Sequence, residues 1–353
     1  MVLPNSDQRV VVGIGSALVD ILVHETDEFI EKAGAVKGGM AYVDNRVIDE
    51  ALRMASTTPF FVPGGSACNT VIGVGRLGGR ARFAGKSGNG NLAGIFESSL
   101  KTNNVEPFLS KSTSLTGRVL SIITPDAQRS MLTYLGASAE AKAEDISPEC
   151  FRGAAVAHVE GYLLFNRELI LSALDAASHA GARISLDLAS FTVVQESKDF
   201  FAEIVKKYVD ILIANEDEAR AFTGHSDEKS AIGAMAKHCR TAVLKLGERG
   251  SLIAHEGSVF EIAPRLGGPA VDTTGAGDLW ASGFLYGLVN GLSIEESGEL
   301  GSLCGYEVCQ VVGAKIPDEG WRRIRAAAGI AAPEGLPAAR SVRKGPLPEA
   351  AGV

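Results

Sequence analysis

Asp278 ends the run Asp272-Thr273-Thr274-Gly275-Ala276-Gly277-Asp278, directly before an uncharged, largely apolar stretch. Read as a helix over 276–290, that stretch begins with N–H groups that have no intrahelical partner. They point outward along the axis, where the helix dipole favours negative charge. Glycine at 275 and 277 lets a ligand come close to the backbone. Gly275, Ala276 and Gly277 thus form a donor cluster for charge that develops during a reaction. A carboxylate in the same turn suits the removal of a proton from an alcohol that then attacks phosphorus. The plainer alternative is a helix N-terminus with an acidic first turn.

Two further groups supply complementary chemistry. Pro63-Gly64-Gly65-Ser66-Ala67-Cys68-Asn69 opens a predicted helix over 68–77. Its glycines expose backbone N–H groups, and Asn69 both donates and accepts, which suits a polyhydroxyl compound. Asp20, shortly after the first predicted strand, is a carboxylate able to grip two vicinal hydroxyls. Asn215 and Glu218 follow a predicted strand at i, i+3. They read strongly as an N-cap with its capping-box glutamate, which is compatible with a water-mediated magnesium site for a nucleotide.

The elements that must position these residues follow a regular rhythm. Short β-branched runs predict strands over 10–15, 19–23, 155–160, 183–188, 210–214 and 241–246. Helical patterns over 167–180, 191–207 and 229–239 separate the later ones. This alternation predicts a parallel sheet covered by helices on both faces. Runs over 116–124 and 130–135 predict one hairpin, and 251–254 with 258–262 another. Residues 24–46 read as a polar, irregular excursion. The last third reads as helical, before a tail over 331–353 rich in Pro, Ala and Gly.

Bulk composition excludes several classes. The chain has 353 residues, 46% of them hydrophobic and 22% charged, which predicts a globular protein. A net charge of −8 disfavours a nucleic-acid or anionic-membrane surface. No stretch has the roughly 20 apolar residues of a membrane helix, and no signal-peptide pattern opens the chain. Five scattered cysteines, Cys68, Cys150, Cys239, Cys304 and Cys309, show no metal or disulfide spacing. A cytoplasmic location is therefore expected. Gly73-Val-Gly75-Arg-Leu-Gly78 matches a dinucleotide fingerprint, but no strand precedes it, so it is expected in or near a helix end. Gly85-Lys86-Ser87 resembles the end of a P-loop with the first glycine misplaced, and is expected to be a turn.

In this order, the motifs resemble the ribokinase/PfkB family of carbohydrate and nucleoside kinases over roughly residues 10–318. Gly64–Asn69 is similar to the family's N-terminal signature, Asp272–Asp278 to its C-terminal signature, and Asn215-Glu216-Asp217-Glu218 to its NxxE motif. The resemblance implies a three-layer α/β/α sandwich, with a mostly parallel central sheet and a small β lid. One domain would span 1–330, its lid drawn from about 20–62 and 112–135. It implies that Asp278 is the base on the acceptor hydroxyl and that the backbone of Gly275, Ala276 and Gly277 meets the transferring phosphoryl group. Asp20, Gly64, Gly65 and Asn69 would hold the substrate. Thr273, Gly275, Gly277, Asn215 and the turn Leu246–Gly250, with Gly247 and Gly250, would bind ATP, and Glu218 would hold Mg2+ through water. Lys245 stands where many members have threonine, within reach of ATP phosphates.

Within the family, Gly13-Ile-Gly15…Asp20, Arg129-Ser130…Leu135-Gly136-Ala137 and Gly161-Tyr162-Leu163-Leu164 resemble the adenosine kinase branch. There an arginine at the position of Arg129 approaches the transferred phosphate. Ser16, Ala17 and Leu163 depart from that branch, Leu163 standing where an aromatic stacks on adenine. The expected activity is ATP-dependent phosphorylation of a primary hydroxyl of a ribonucleoside or sugar. A kinase of free sugars such as ribose, fructose or ketodeoxygluconate is the alternative. A non-catalytic binder and a Rossmann oxidoreductase are the readings of other classes. A potassium requirement and the choice between monomer and homodimer stay open.

Overall fold

Buried β-branched runs form most of the strands in this chain. The computed structural model describes residues 9–126, 128–265 and 267–331. Its strands are β1 (Val10–Ile14), β2 (Leu18–His24), β3 (Met40–Tyr42), β4 (Phe60–Gly64), β5 (Arg80–Asn89), β6 (Val105–Ile123), β7 (Arg129–Gly136), β8 (Ala154–Glu160), β9 (Arg183–Asp187), β10 (Ile211–Asn215), β11 (Thr241–Lys245), β12 (Ser251–His255) and β13 (Ser258–Ile262). Strands β11-β10-β9-β8-β1-β5-β6 run parallel in that spatial order. Strands β12 and β13 extend one edge as antiparallel neighbours. β1 and β8 are buried along their whole length, as expected of strands covered on both faces.

One face of this sheet packs on helices Arg167–His179, Lys198–Tyr208 and Glu216–Thr223, through residues such as Leu174, Phe201 and Ala219. The other packs on helices Ser66–Arg76, Asn91–Thr102 and Ala276–Val289, through Val71, Val74, Phe96 and Phe284. This is the three-layer α/β/α arrangement expected from the sequence. β6 is long enough to serve two sheets. Its first half pairs with β5, and its second half leaves the main sheet to pair with β2 and β7. A small sheet ordered β4-β2-β6-β7-β3 results.

The structure differs from the sequence reading in four places. The stretch 24–46 is not irregular. Helix Asp27–Lys32, β3 and the start of helix Asn45–Met54 lie there, and Phe29, Ile30 and Ile48 are buried against Ile21, Leu120 and Leu132 of the small sheet. Helix Asp27–Lys32 is too short for its few apolar residues to show a period, and only the first two residues of helix Asn45–Met54 fall in that stretch. Gly85-Lys86-Ser87 is not a turn but lies inside β5, with Lys86 paired to Asp145 at 2.8 Å. A Cβ on Gly85 would stand 2.5 Å from the Gly15 carbonyl oxygen, so that glycine marks a close strand approach. The helix expected over 191–207 breaks at Ser197 into Phe191–Glu196 and Lys198–Tyr208. The hairpin strand expected from 116 begins at Val105.

Gly73 and Gly75 lie within helix Ser66–Arg76. A Cβ there would meet Ser282 Oγ at 2.3 Å and the Asn103 carbonyl oxygen at 2.1 Å. Those glycines serve helix packing, and the strand–turn–helix context of a dinucleotide site is missing. All five cysteines are free. No helix among the described residues is long and apolar enough to cross a membrane. The tail over 332–353 lies outside the described residues.

Candidate active site

Four neighbouring strands of the main sheet end in a polar residue. β8 ends at Glu160, β9 at Asp187, β10 at Asn215 and β11 at Lys245. The parallel registers pair Glu160 with Asp187 and Asn215 with Lys245. A row of charge therefore lies along the carboxyl edge of the sheet, where open α/β sheets bind ligands.

Helix Ala276–Val289 brings Asp278 to this edge. Its N-cap is Gly275, whose φ of 73° lies in the left-handed region that glycine adopts freely. The Ala276 N–H donates to the Thr273 carbonyl at 3.1 Å, and the Leu279 N–H to the Gly275 carbonyl at 2.8 Å. Between them, the N–H groups of Gly277 and Asp278, like that of Gly275, have no partner among the described residues. The donor cluster is thus Gly275, Gly277 and Asp278, with Ala276 occupied by the turn. Asp272 shapes this loop. Its carboxylate accepts from Thr274 N at 2.9 Å, Thr274 Oγ1 at 2.7 Å and Gly313 N at 2.8 Å. Arg129, at the start of β7, donates to Thr274 Oγ1 and so ties the small sheet to the loop.

The Asp278 carboxylate is held from helix Ser66–Arg76. Ser66 Oγ donates to Oδ1 at 2.7 Å and Asn69 Nδ2 to Oδ2 at 2.9 Å, while Thr70 Oγ1 reaches its main-chain oxygen at 3.1 Å. Burial raises the Asp278 pKa above its ordinary value, against these hydrogen bonds, and the charge of Asp187 adds to the rise. Asn69, expected to hold substrate, is here engaged with the base.

The same helix begins without a side-chain cap of its own, at Gly65. Glu160 supplies one from across the sheet. Its Oε2 accepts from Ala67 N at 3.1 Å and its Oε1 from Ser16 N at 2.8 Å. A Cβ on Gly15 would stand 2.3 Å from Glu160 Oε2, so the glycine makes room for this carboxylate. Burial lifts Glu160 to about 7, against those two hydrogen bonds. Asp20, on β2, lies beside Gly64, where a Cβ would meet its Oδ1 at 2.5 Å. Burial lifts Asp20 to about 6, with Arg129 opposing and Asp278 adding to the rise.

At the other end of the row, Asn215 and Glu218 form the full capping box. Asn215 Oδ1 accepts from Glu218 N at 2.9 Å, and Glu218 Oε2 accepts from Asn215 N at 2.8 Å. Asn215 Nδ2 also donates to Glu218 Oε1 at 2.8 Å. Burial, then Asp187, lifts Glu218 to about 7. Magnesium binds through one or two carboxylates and keeps several waters. Among the described residues no three acidic, histidine or cysteine groups make a cage for a metal. Glu218, with Asn215, fits an outer-shell role of that kind. Lys245 Nζ donates to Asp187 Oδ2 at 2.9 Å and would stand 2.8 Å from a Cβ on Gly277. Beyond it, Gly247 and Gly250 take φ of 58° and 91° in the turn to β12.

Leu163 is buried in the core. Its neighbour Tyr162 donates to the Ala189 carbonyl at 3.3 Å, and its hydroxyl pKa is raised by burial and by the charges of Asp278, Glu160 and Glu218. Sequence reasoning assigned no role to Glu160, Asp187 or Ser66. A single charged residue closing an apolar strand run, as in AAVAHVE and RISLD, is the signal that marks the first two.

These buried carboxyls make stability depend on pH. In the folded protein Asp20, Glu160 and Glu218 keep protons that the unfolded chain loses above about 4 to 4.5. Their contribution is full below those values and falls as pH rises to about 6 or 7. His158 opposes it, because burial lowers its pKa to about 4 and the unfolded chain takes up its proton first. Burial lowers His255 too, in the same direction, and the three carboxyls outweigh the two imidazoles. The expected result is a ligand-free melting temperature roughly 3 °C or more higher at pH 5 than at pH 7.5. Differential scanning fluorimetry across that range checks it, and a rise with pH would contradict it.

The model of the pfkB family carbohydrate kinases matches residues 40–320. The 5-dehydro-2-deoxygluconokinase of Geobacillus thermodenitrificans is 29% identical over 255 residues, covering 68% of this chain and 76% of that one. Two solved structures are similar over nearly their whole length. A probable sugar kinase protein from Rhizobium etli is 31% identical with a TM-score of 0.84, covering 92% of this chain and 99% of the other. The adenosine kinase from Sinorhizobium meliloti is 32% identical with a TM-score of 0.83, covering 91% and 99%.

Proposed function

Starting from a chain that belongs to the pfkB family of carbohydrate kinases, we propose that it transfers the γ-phosphoryl group of ATP to a primary hydroxyl of a ribonucleoside or sugar, with Asp278 as general base. Phosphorylation of a sugar or nucleoside is the activity that membership carries. The observation that supports the finer reading is the placement of Asp278. A buried carboxylate, aimed by Ser66 and Asn69, shares one helix turn with N–H groups that have no partner among the described residues.

The roles divide along the carboxyl edge. The acceptor lies between Asp20, Gly64, Gly65, Asn69 and the face near Leu163, covered by the small sheet acting as a lid. Asp278 takes the proton of the attacking hydroxyl; its raised pKa keeps it basic enough for that task. The N–H groups of Gly275 and Gly277 stabilise charge on the phosphoryl oxygens. Arg129 carries positive charge from the lid to the same point. Thr273, Asn215, Lys245, Gly247 and Gly250 line the nucleotide side. Magnesium, held through water by Glu218, would neutralise phosphate charge. Every residue named lies on one chain, so monomer and homodimer are both compatible with the site. The cytoplasm, where ATP is abundant, is the proposed location, and potassium has no assigned role here.

A ribonucleoside is the leading acceptor class, supported by the adenosine kinase from Sinorhizobium meliloti among the structural relatives. A free sugar or sugar acid is second, favoured by Leu163, which is buried where a stacking ring would stand. Comparing kcat/KM for adenosine, other nucleosides, ribose, fructose and ketodeoxygluconate, by ADP release, decides between them. A nucleoside preference supports the leading reading. A preference for free sugars overturns it in favour of the second.

A further inference from the structure

Lys245 and Asp187 form a buried ion pair whose placement is not explained by stability. Their side chains are 14% and 6% exposed, and Nζ lies 2.9 Å from Oδ2. Removing two charges from water costs as much as their attraction returns, so such a pair is weak evidence for stabilisation. The ammonium also lies at the N-terminal turn of helix Ala276–Val289, 2.8 Å from where a Gly277 Cβ would be. That is the positive end of a helix dipole, which with burial opposes the cation, while the charges of Asp187, Glu218 and Asp278 keep it protonated where phosphate oxygens would arrive.

Asp187 is fixed on both oxygens. Its Oδ1 accepts from Ala189 N at 2.9 Å while Oδ2 holds the lysine. Ala189 has φ of 62°, a strained conformation for a residue other than glycine. Tyr162 braces that turn through the Ala189 carbonyl. The segment thus holds a carboxylate that aims one ammonium at the turn carrying Asp278.

We propose that Lys245 is a catalytic cation for the phosphoryl group in transfer, and that Asp187 is the positioning residue that aims it. This rests on the kinase reading above and goes beyond it, because it places the contribution of Lys245 in the transition state rather than in nucleotide binding. The acceptor oxygen bonds to the γ-phosphorus as its proton passes to Asp278. The bond from that phosphorus to the β,γ-bridging oxygen breaks, and its electron pair leaves with ADP. Negative charge on the equatorial oxygens is greatest in between, and Lys245 donates to one of them. An interaction made mainly in the transition state lowers kcat when removed and leaves ground-state binding nearly unchanged.

The test uses the full chain, its best acceptor, and the variants Lys245→Met, Asp187→Asn and both together. Replacing both partners by neutral residues spares the fold the unpaired charge that either single change leaves. Turnover gives kcat, and calorimetry gives the Kd for ATP. Lys245→Met is expected to lower kcat on the order of 10²-fold with the ATP Kd changed less than about threefold. The double variant should match Lys245→Met in kcat at its own pH optimum, since Asp187 acts on the phosphoryl group through the lysine and otherwise only adds to the raised pKa of Asp278. A raised ATP Kd with kcat preserved would make Lys245 a binding residue and overturn the catalytic role. A double variant with kcat restored to the wild-type value would do the same. Further loss of kcat in the double variant would overturn the positioning role of Asp187. A wild-type protein that binds acceptors and turns over none defeats the kinase reading itself, which is a separate failure.

Discussion

Asp278→Asn yields a folded protein whose kcat falls by about 10²- to 10⁴-fold, the range a positioned general base contributes. The amide has the shape of the carboxylate and keeps a partner for each neighbour. The Ser66 hydroxyl rotates to donate or accept, and the Asn69 amide turns to offer its oxygen to the new NH2 group. Substrate contacts survive, so KM values should move little. Stability should not suffer at neutral pH. Burial makes ionised Asp278 unfavourable in the folded state, and a neutral amide removes that penalty. Steady-state kinetics with a melting curve beside them checks both halves. Wild-type turnover by this variant would remove Asp278 from its assigned role.

Gly277→Ala is the second large effect, and it separates function from stability. A methyl group there would meet only the end of a flexible side chain, with Lys245 Nζ at 2.8 Å, Cε at 3.7 Å and Cδ at 3.9 Å. The backbone at 277 is helical, and alanine is favoured over glycine within a helix by up to about 1 kcal/mol. The variant should therefore fold as well as the wild type. Its activity should fall about 10²-fold, the scale of losing one transition-state donor. The methyl both displaces the ammonium and crowds the N–H groups that meet the phosphoryl oxygens. Gly275→Ala should behave differently. Its φ of 73° is left-handed, and its Cβ would stand 2.6 Å from the Ala314 Cβ, so it loses stability as well as activity. Unchanged kcat in Gly277→Ala would show that this turn does not face the reacting group.

The chemistry at the two helix starts was legible in the sequence because it is local. Asp278 and its glycines are neighbours in the chain, as are Gly64, Gly65 and Asn69, and strand runs such as VVVGI and ILIA need no tertiary information to be seen as buried. Glu160 and Asp187 were not legible as site residues. Each is one carboxylate at the end of an apolar run, and they become a pair only through the register of β8 and β9. The role of Glu160 as a cap for helix Ser66–Arg76 spans 93 residues of sequence. Helix Asp27–Lys32 was missed because six residues show too little of a period, whereas helix Asn45–Met54 carries a readable one in Val47, Ile48, Ala51 and Leu52 and was passed over. For Asn215 and Glu218 the structural reading is satisfied bond by bond. Their place beside Asp187 and Lys245 keeps the nucleotide-side reading proposed for them.

Every role assigned above depends on transfer of phosphate to a primary hydroxyl. That transfer is tested most directly by incubating the protein with γ-labelled ATP, Mg2+ and each acceptor beside its counterpart lacking the primary hydroxyl. The expected result is label on the hydroxyl-bearing acceptor, ADP in equal amount, and no labelled product from the deoxy counterpart. Label released only as inorganic phosphate, or bound acceptors with no transfer to any of them, would contradict it.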